Sequence, residues 1–105
     1  MLDDLAEQLH ETAVSKGFWP EDVDDIFIAK QCMMIVSEVT ELMEAIRKDT
    51  GEEEIVMETA DILIRTLDLY AGLVDAGHTT ISLDYALQEK SNINKDRPQK
   101  HGVRF

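Results

Sequence analysis

Apolar positions recur along this chain with the spacing of helices. From Leu2 to Ser15 they fall at Leu2, Leu5, Ala6, Leu9, Ala13 and Val14, a stripe whose opposite face carries acids. Lys16-Gly17 closes this first helix, glycine suiting the left-handed cap, and Phe18-Trp19-Pro20 follows as a turn. Pro20 suits a first helical position with Glu21 and Asp22 behind it, so a second segment is expected to start there. It passes an irregularity near Asp24-Asp25 and runs to about Lys48, where Asp49-Thr50-Gly51 breaks it. Thr50 with Glu53 reads as a capping box for a third helix, and Glu52, Glu53 and Glu54 place negative charge at the positive end of its dipole. That helix reaches about Val74 and stops at Gly77. Hydroxyls between Thr79 and Ser82 cap a fourth, from about Leu83 to Lys95, with Leu83, Ala86, Leu87 and Ile93 as its apolar side. Pro98 and Gly102 leave the remainder as an extended tail. No strand or internal repeat is visible, so the fold class is all-α, a four-helix bundle forming a single domain over residues 1–105.

The two middle helices differ from the outer pair. Cys32 to Ile46 and Ile55 to Leu67 are apolar almost all round, which marks them as buried. Two such helices need more cover than two shorter ones supply, so the bundle is expected to be completed by oligomerisation, as a homodimer or homotetramer. Yet each run carries two carboxylates three residues apart, Glu38 with Glu41 and Glu58 with Asp61, so that each pair projects from one face. The short connection makes the runs antiparallel neighbours and sets the pairs against each other. Buried carboxylates without compensation cost several kcal/mol each. Basic residues in or beside the runs are few: Arg65, Lys30, Arg47 and Lys48. Arg65, one turn after Asp61, is placed to pair with Asp61 or with Asp68. Divalent cations explain the remaining charge best, and an all-oxygen ligand set favours Mg²⁺, or Mn²⁺, over zinc. Carboxylate-held Mg²⁺ completed by water and phosphate oxygens is the usual arrangement for phosphoryl transfer.

Charge and composition narrow the partners. The formal net charge is −12, from 22 acids against 10 Lys and Arg, which argues against nucleic-acid backbones and anionic membranes. A small metal-chelated phosphate is compatible, because the bound ion inverts the local field. The one cysteine, Cys32, lies in an apolar run and reads as a buried small hydrophobe of a reducing compartment. With no signal-peptide pattern and no run of membrane-spanning length, a cytoplasmic protein is expected. Met1, Met33, Met34, Met43, Met57 and Tyr70 read as core filling. Glu7 and His10 match half of a di-iron ExxH motif, but neither His78 nor His101 supplies the other half.

Several side chains suit a phosphorylated substrate. Lys90, Asn94 and Arg97 fall four and three apart, one polar stripe on a helix, either reaching phosphates or solvated. Trp19 either stacks on a base or plugs the bundle end, and plugging suits Phe18 better. Lys30, two turns before Glu38, either approaches a phosphate or lies in solvent. His101 and Arg104 stand in the tail, either closing over the site or disordered.

Glu38-xx-Glu41 and Glu58-xx-Asp61 on facing helices, followed by Lys90-xxx-Asn94-xx-Arg97-Pro98-xx-His101-Gly102-Val103-Arg104-Phe105, resemble the MazG-like all-α nucleoside triphosphate pyrophosphohydrolases. The likeness extends from Glu11 to Phe105. It implies a MazG-like bundle and hydrolysis of a (deoxy)nucleoside triphosphate between the α and β phosphates, giving monophosphate and pyrophosphate with Mg²⁺. It implies metal ligation by Glu38, Glu41, Glu58 and Asp61, with Lys90, Asn94 and Arg97 on the phosphates. The family motif often has a further Glu directly before the first ligand, where this chain has Ser37. Either Glu41 then doubles as the base or the ion alone activates the water. Ser37 also leaves open a non-catalytic helical module that binds a nucleotide or a partner.

Overall fold

The computed structural model describes residues 1–97, and these form four helices and no strand: α1 (Leu2–Ser15), α2 (Asp25–Arg47), α3 (Glu52–Asp75) and α4 (Leu83–Asp96). The all-α expectation holds. The first three helices end in the same way. At the end of α1, Gly17 N–H donates to the Val14 carbonyl and Phe18 N–H to that of Ala13, both at 3.0 Å, with Gly17 at φ 79°. This pairing satisfies carbonyls the helix would otherwise leave open and needs a left-handed residue. Gly77 fills that place after α3, but after α2 it is Asp49, at φ 52°, an uncommon conformation for a residue with a Cβ.

Helix starts departed more from expectation. α2 begins at Asp25, not Pro20, because the Asp24 carboxylate accepts the Phe27 N–H at 2.8 Å and so caps the helix there. The Thr50–Glu53 capping box does not form. Thr50 instead donates its hydroxyl to the Ala45 carbonyl at 3.3 Å, and Gly51 starts α3 without a side-chain cap. α1 and α4 cap each other. Asp84 accepts from Leu2 N–H (2.9 Å) and Asp3 N–H (3.1 Å), while Asp3 accepts from Leu83 N–H (2.9 Å), Asp84 N–H (3.1 Å) and the Ser82 hydroxyl. Each helix thus receives a carboxylate at its positive end from the other. Tyr70 on α3 ties the α4 start down, donating to the Ile81 carbonyl at 2.6 Å.

α3 is the central element, with α2 along one side and α1 along another, while α4 meets α1. The buried centre is small: Ala6, Leu67 and Ala71, with Leu2, Leu9, Tyr70 and Leu83 packed against it. The radius of gyration is 16.2 Å, above the ~13 Å of a compact domain of this length. Within the single chain the middle helices are therefore not enclosed as their composition suggested. Cys32, Val36, Val39, Met43 and Ile46 of α2 are exposed, spaced four, three, four and three residues apart, as are Val56, Met57 and Leu63 of α3. Met1 and Met33 are exposed as well, so Met1, Met33, Met43, Met57 and Cys32 fill no core within one chain. The reason is that α2 packs on α3 alone, while α1 packs on α3 and α4 on α1. Among the described residues, no helix is long and apolar enough to cross a membrane.

Candidate functional site

Antiparallel packing of α2 on α3 sets the acids by register. Glu38 and Asp61 are equidistant from the Asp49-Thr50 turn, and so are Glu41 and Glu58. Glu38, Glu58 and Asp61 can each offer an oxygen such that all three lie within 4.8 Å of one another. Glu38 and Glu58 are half-buried and Asp61 is exposed. Two oxygens in this group, Glu38 Oε2 and Glu58 Oε2, are buried without a hydrogen-bond partner. A buried anionic oxygen left unpaired is costly, so these oxygens fit a cation ligand set. The donor chemistry, carboxylate oxygens alone, fits a hard ion such as Mg²⁺ or Mn²⁺.

Glu41 is exposed and stands beside this trio, outside its tight grouping. The neighbouring Glu38, by hydrogen bonding and by like charge, raises its carboxyl above the ordinary value, with Glu58 adding to the effect. The quartet expected from the sequence is thus three converging acids and one adjacent.

The acids sit between two recesses. Glu38 and Asp61 border a cavity of about 550 Å³ between α1 and α3, whose other polar residues include Lys16, Arg65, Thr12 and Asp68. Its apolar wall is Leu9, Ala13, Phe18 and Ile64. Glu41 and Glu58 border a shallower recess of about 330 Å³ toward the α2–α3 turn, beside Lys48 and Glu44. Arg65 donates from Nε to Glu38 Oε1 at 3.0 Å, not to Asp61 or Asp68. The bond crosses from α3 to α2 and holds the Glu38 carboxylate.

Asp68 has a different task. Its carboxylate accepts the Trp19 indole N–H at 3.0 and 3.1 Å, and its Oδ1 lies 2.8 Å from His10 Nδ1. His10 is buried, with Nε2 3.2 Å from Asp75 Oδ2, and its ring meets Trp19 edge-on at 4.6 Å. Trp19 also lies against Phe27 at 5.0 Å and over Gly72, where an added Cβ would stand 2.1 Å from the ring. Glu7-xx-His10 is therefore a packing feature. Trp19, read either as a base-stacking residue or as a plug of the bundle end, is held away from the acids: it lines a separate cavity of about 520 Å³ with Glu21, Asp22 and Asp24. Phe18, expected to plug the bundle end, is the aromatic at the acid cavity, and it is exposed.

The other substrate candidates lie elsewhere within the chain. Lys30 is exposed early in α2 and borders neither acid recess. Lys90 and Asn94 are exposed on α4 and Arg97 caps it, and none of the three lines either recess. His101 and Arg104 fall outside the described residues. Sequence reasoning missed Lys16, Asp68 and Gly72. A signal existed for two of them: Asp61, Arg65 and Asp68, four and three apart, continue the acidic face, and a glycine inside a helix marks close approach. Compared with protein-family models, curated proteins and solved structures, the chain matches none of them.

Proposed function

We propose that this chain is an Mg²⁺-dependent hydrolase that converts a nucleoside triphosphate to its monophosphate and pyrophosphate, working as a cytoplasmic homo-oligomer of MazG-like fold. The observation that carries the reading is the convergence of Glu38, Glu58 and Asp61 beside a cavity of ligand size, with one carboxylate oxygen of Glu38 and one of Glu58 buried without a partner. The sequence resemblance, both acid pairs and the ending from Lys90 to Phe105, supplies the reaction class.

Glu38, Glu58 and Asp61 would hold the ion, with Arg65 keeping Glu38 in place. When bound, Mg²⁺ supplies charge neutralisation on the phosphate oxygens and a more acidic water. Hydrolysis would join the oxygen of a water to the α-phosphorus and break the bond to the oxygen bridging α and β, so that pyrophosphate leaves. Glu41, which stands beside the trio, would take the proton. Ser37, exposed on α2, offers no carboxylate for this step.

The exposed apolar seam on α2 supports the oligomer. Its four-three spacing from Cys32 to Ile46 is that of helices packing in register, and Val56 and Leu63 of α3 are exposed as well.

Incubation with each triphosphate and Mg²⁺, scoring pyrophosphate against phosphate, tests the activity. Pyrophosphate release is expected to fall by about two orders of magnitude in Glu38→Gln and Asp61→Asn, the size of effect that loss of one transition-state contact brings. Activity that survives both changes removes the site. Ser37 favours a second reading, a nucleotide-binding module without turnover. Metal-dependent binding with no pyrophosphate from any triphosphate would establish it.

A further inference from the structure

We infer that the α1 side of the acid cavity reads the substrate: Phe18 stacks on the base, and Lys16 with the outer edge of Arg65 holds the phosphates. This rests on the triphosphate reading above and adds residues that neither the acid pairs nor the chain's ending suggested.

The cavity sorts itself chemically. Of its three acids, Asp68 is engaged by Trp19 and His10, and Glu38 and Asp61 belong to the ion. Its two cations, Lys16 and Arg65, are left for anions. Arg65 uses Nε on Glu38, and among the described residues its terminal nitrogens have no bond, leaving a planar fork suited to phosphate oxygens. The apolar wall holds one aromatic ring, Phe18, and it is 65% exposed. An exposed ring commonly moves, but the backbone here does not favour that. Phe18 N–H is bound to the Ala13 carbonyl at 3.0 Å in the closing turn of α1, and the next residue, Trp19, is fixed to Asp68 and Gly72. The Phe18 backbone is thus held on both sides, and its largely exposed ring borders the cavity. Two cations, an ion site and one open ring within about 550 Å³ describe a nucleotide better than a bare phosphate or an apolar ligand.

The test is calorimetric binding, in Mg²⁺, of two probes: the α,β-methylene analogues of the four common deoxynucleoside triphosphates, and inorganic tripolyphosphate. Phe18→Ala is expected to weaken the preferred analogue about ten- to a hundredfold, the effect of losing a base–aromatic stack, and to leave tripolyphosphate unchanged. Phe18→Tyr should restore the affinity. Lys16→Met is expected to weaken analogue and tripolyphosphate by the same factor. Mn²⁺ affinity and melting temperature should match the wild type in all three variants. If Phe18→Ala weakens both probes alike, or neither, the assignment is overturned while the hydrolase reading stands on pyrophosphate release. A wild type that binds neither probe overturns both.

Discussion

Replacing Gly72 with alanine tests how the linker after α1 is held. An added Cβ would lie 2.1 Å from the Trp19 ring at its nearest atom and 2.6 Å at two others, against 3.4 Å or more in ordinary contact. The ring must therefore withdraw by at least 1.3 Å, the difference between 3.4 and 2.1 Å. It cannot do so and keep both N–H contacts to Asp68, now at 3.0 and 3.1 Å. Overpacking costs about 1–3 kcal/mol, and losing a hydrogen bond to a charged group about 1.5–3 kcal/mol. Alanine returns about 1 kcal/mol as the better helix former. The net loss is about 1.5–5 kcal/mol, a fall in melting temperature on the order of 10 °C. Trp19 is the chain's one tryptophan, so its emission should shift to the red as the indole leaves Asp68. In a Trp19→Ala background the clash is gone, and Gly72→Ala should turn neutral or stabilising. A Gly72→Ala protein as stable as the wild type, with unchanged emission, would refute the reasoning.

Other outcomes follow from the same geometry. Leu67→Ala, at the most buried large side chain of the centre, should cost about 2–5 kcal/mol in denaturant unfolding. Asp84 has its pKa lowered to about 2, first by the terminal ammonium of Met1 and then by the N–H groups of Asp3 and Leu2. A folded value below the ordinary 3.8 means the stabilisation is present above pH 4 and lost as pH falls toward 2. Asp84→Asn should be less stable at neutral pH and lack that acid-dependent component in a series of thermal melts. Asp49→Gly relieves the left-handed strain after α2 and should add up to about 1 kcal/mol, read as a higher denaturation midpoint.

Local chemistry was legible in the sequence and distant chemistry was not. Helix ends at Gly17 and Gly77 could be read because one residue decides each, and the acid register could be read because a short turn leaves two helices little choice. The α2 start was misplaced because Pro20 and Asp24 both favour a helix start, and the capping bond to Phe27 decided between them. Thr50 was claimed by the end of α2 before it could cap α3. The placement of Phe18 at the acid cavity and of Trp19 away from it depended on Gly72 and Asp68, some fifty residues away, and no periodicity carries that information. Arg65 had acids on either side of it along α3, yet reaches Glu38 across the hairpin. Burial was overestimated for α2 because composition reports what a helix can bury, and one chain provides cover on one side only.

The central claim is that Glu38, Glu58 and Asp61 converge on a divalent cation. An anomalous difference map from crystals grown with Mn²⁺ tests it most directly. A peak is expected at about 2.1 Å from oxygens of all three residues, lost in Glu38→Gln. A map without density among these side chains at millimolar Mn²⁺, or with the ion on other residues, would contradict it.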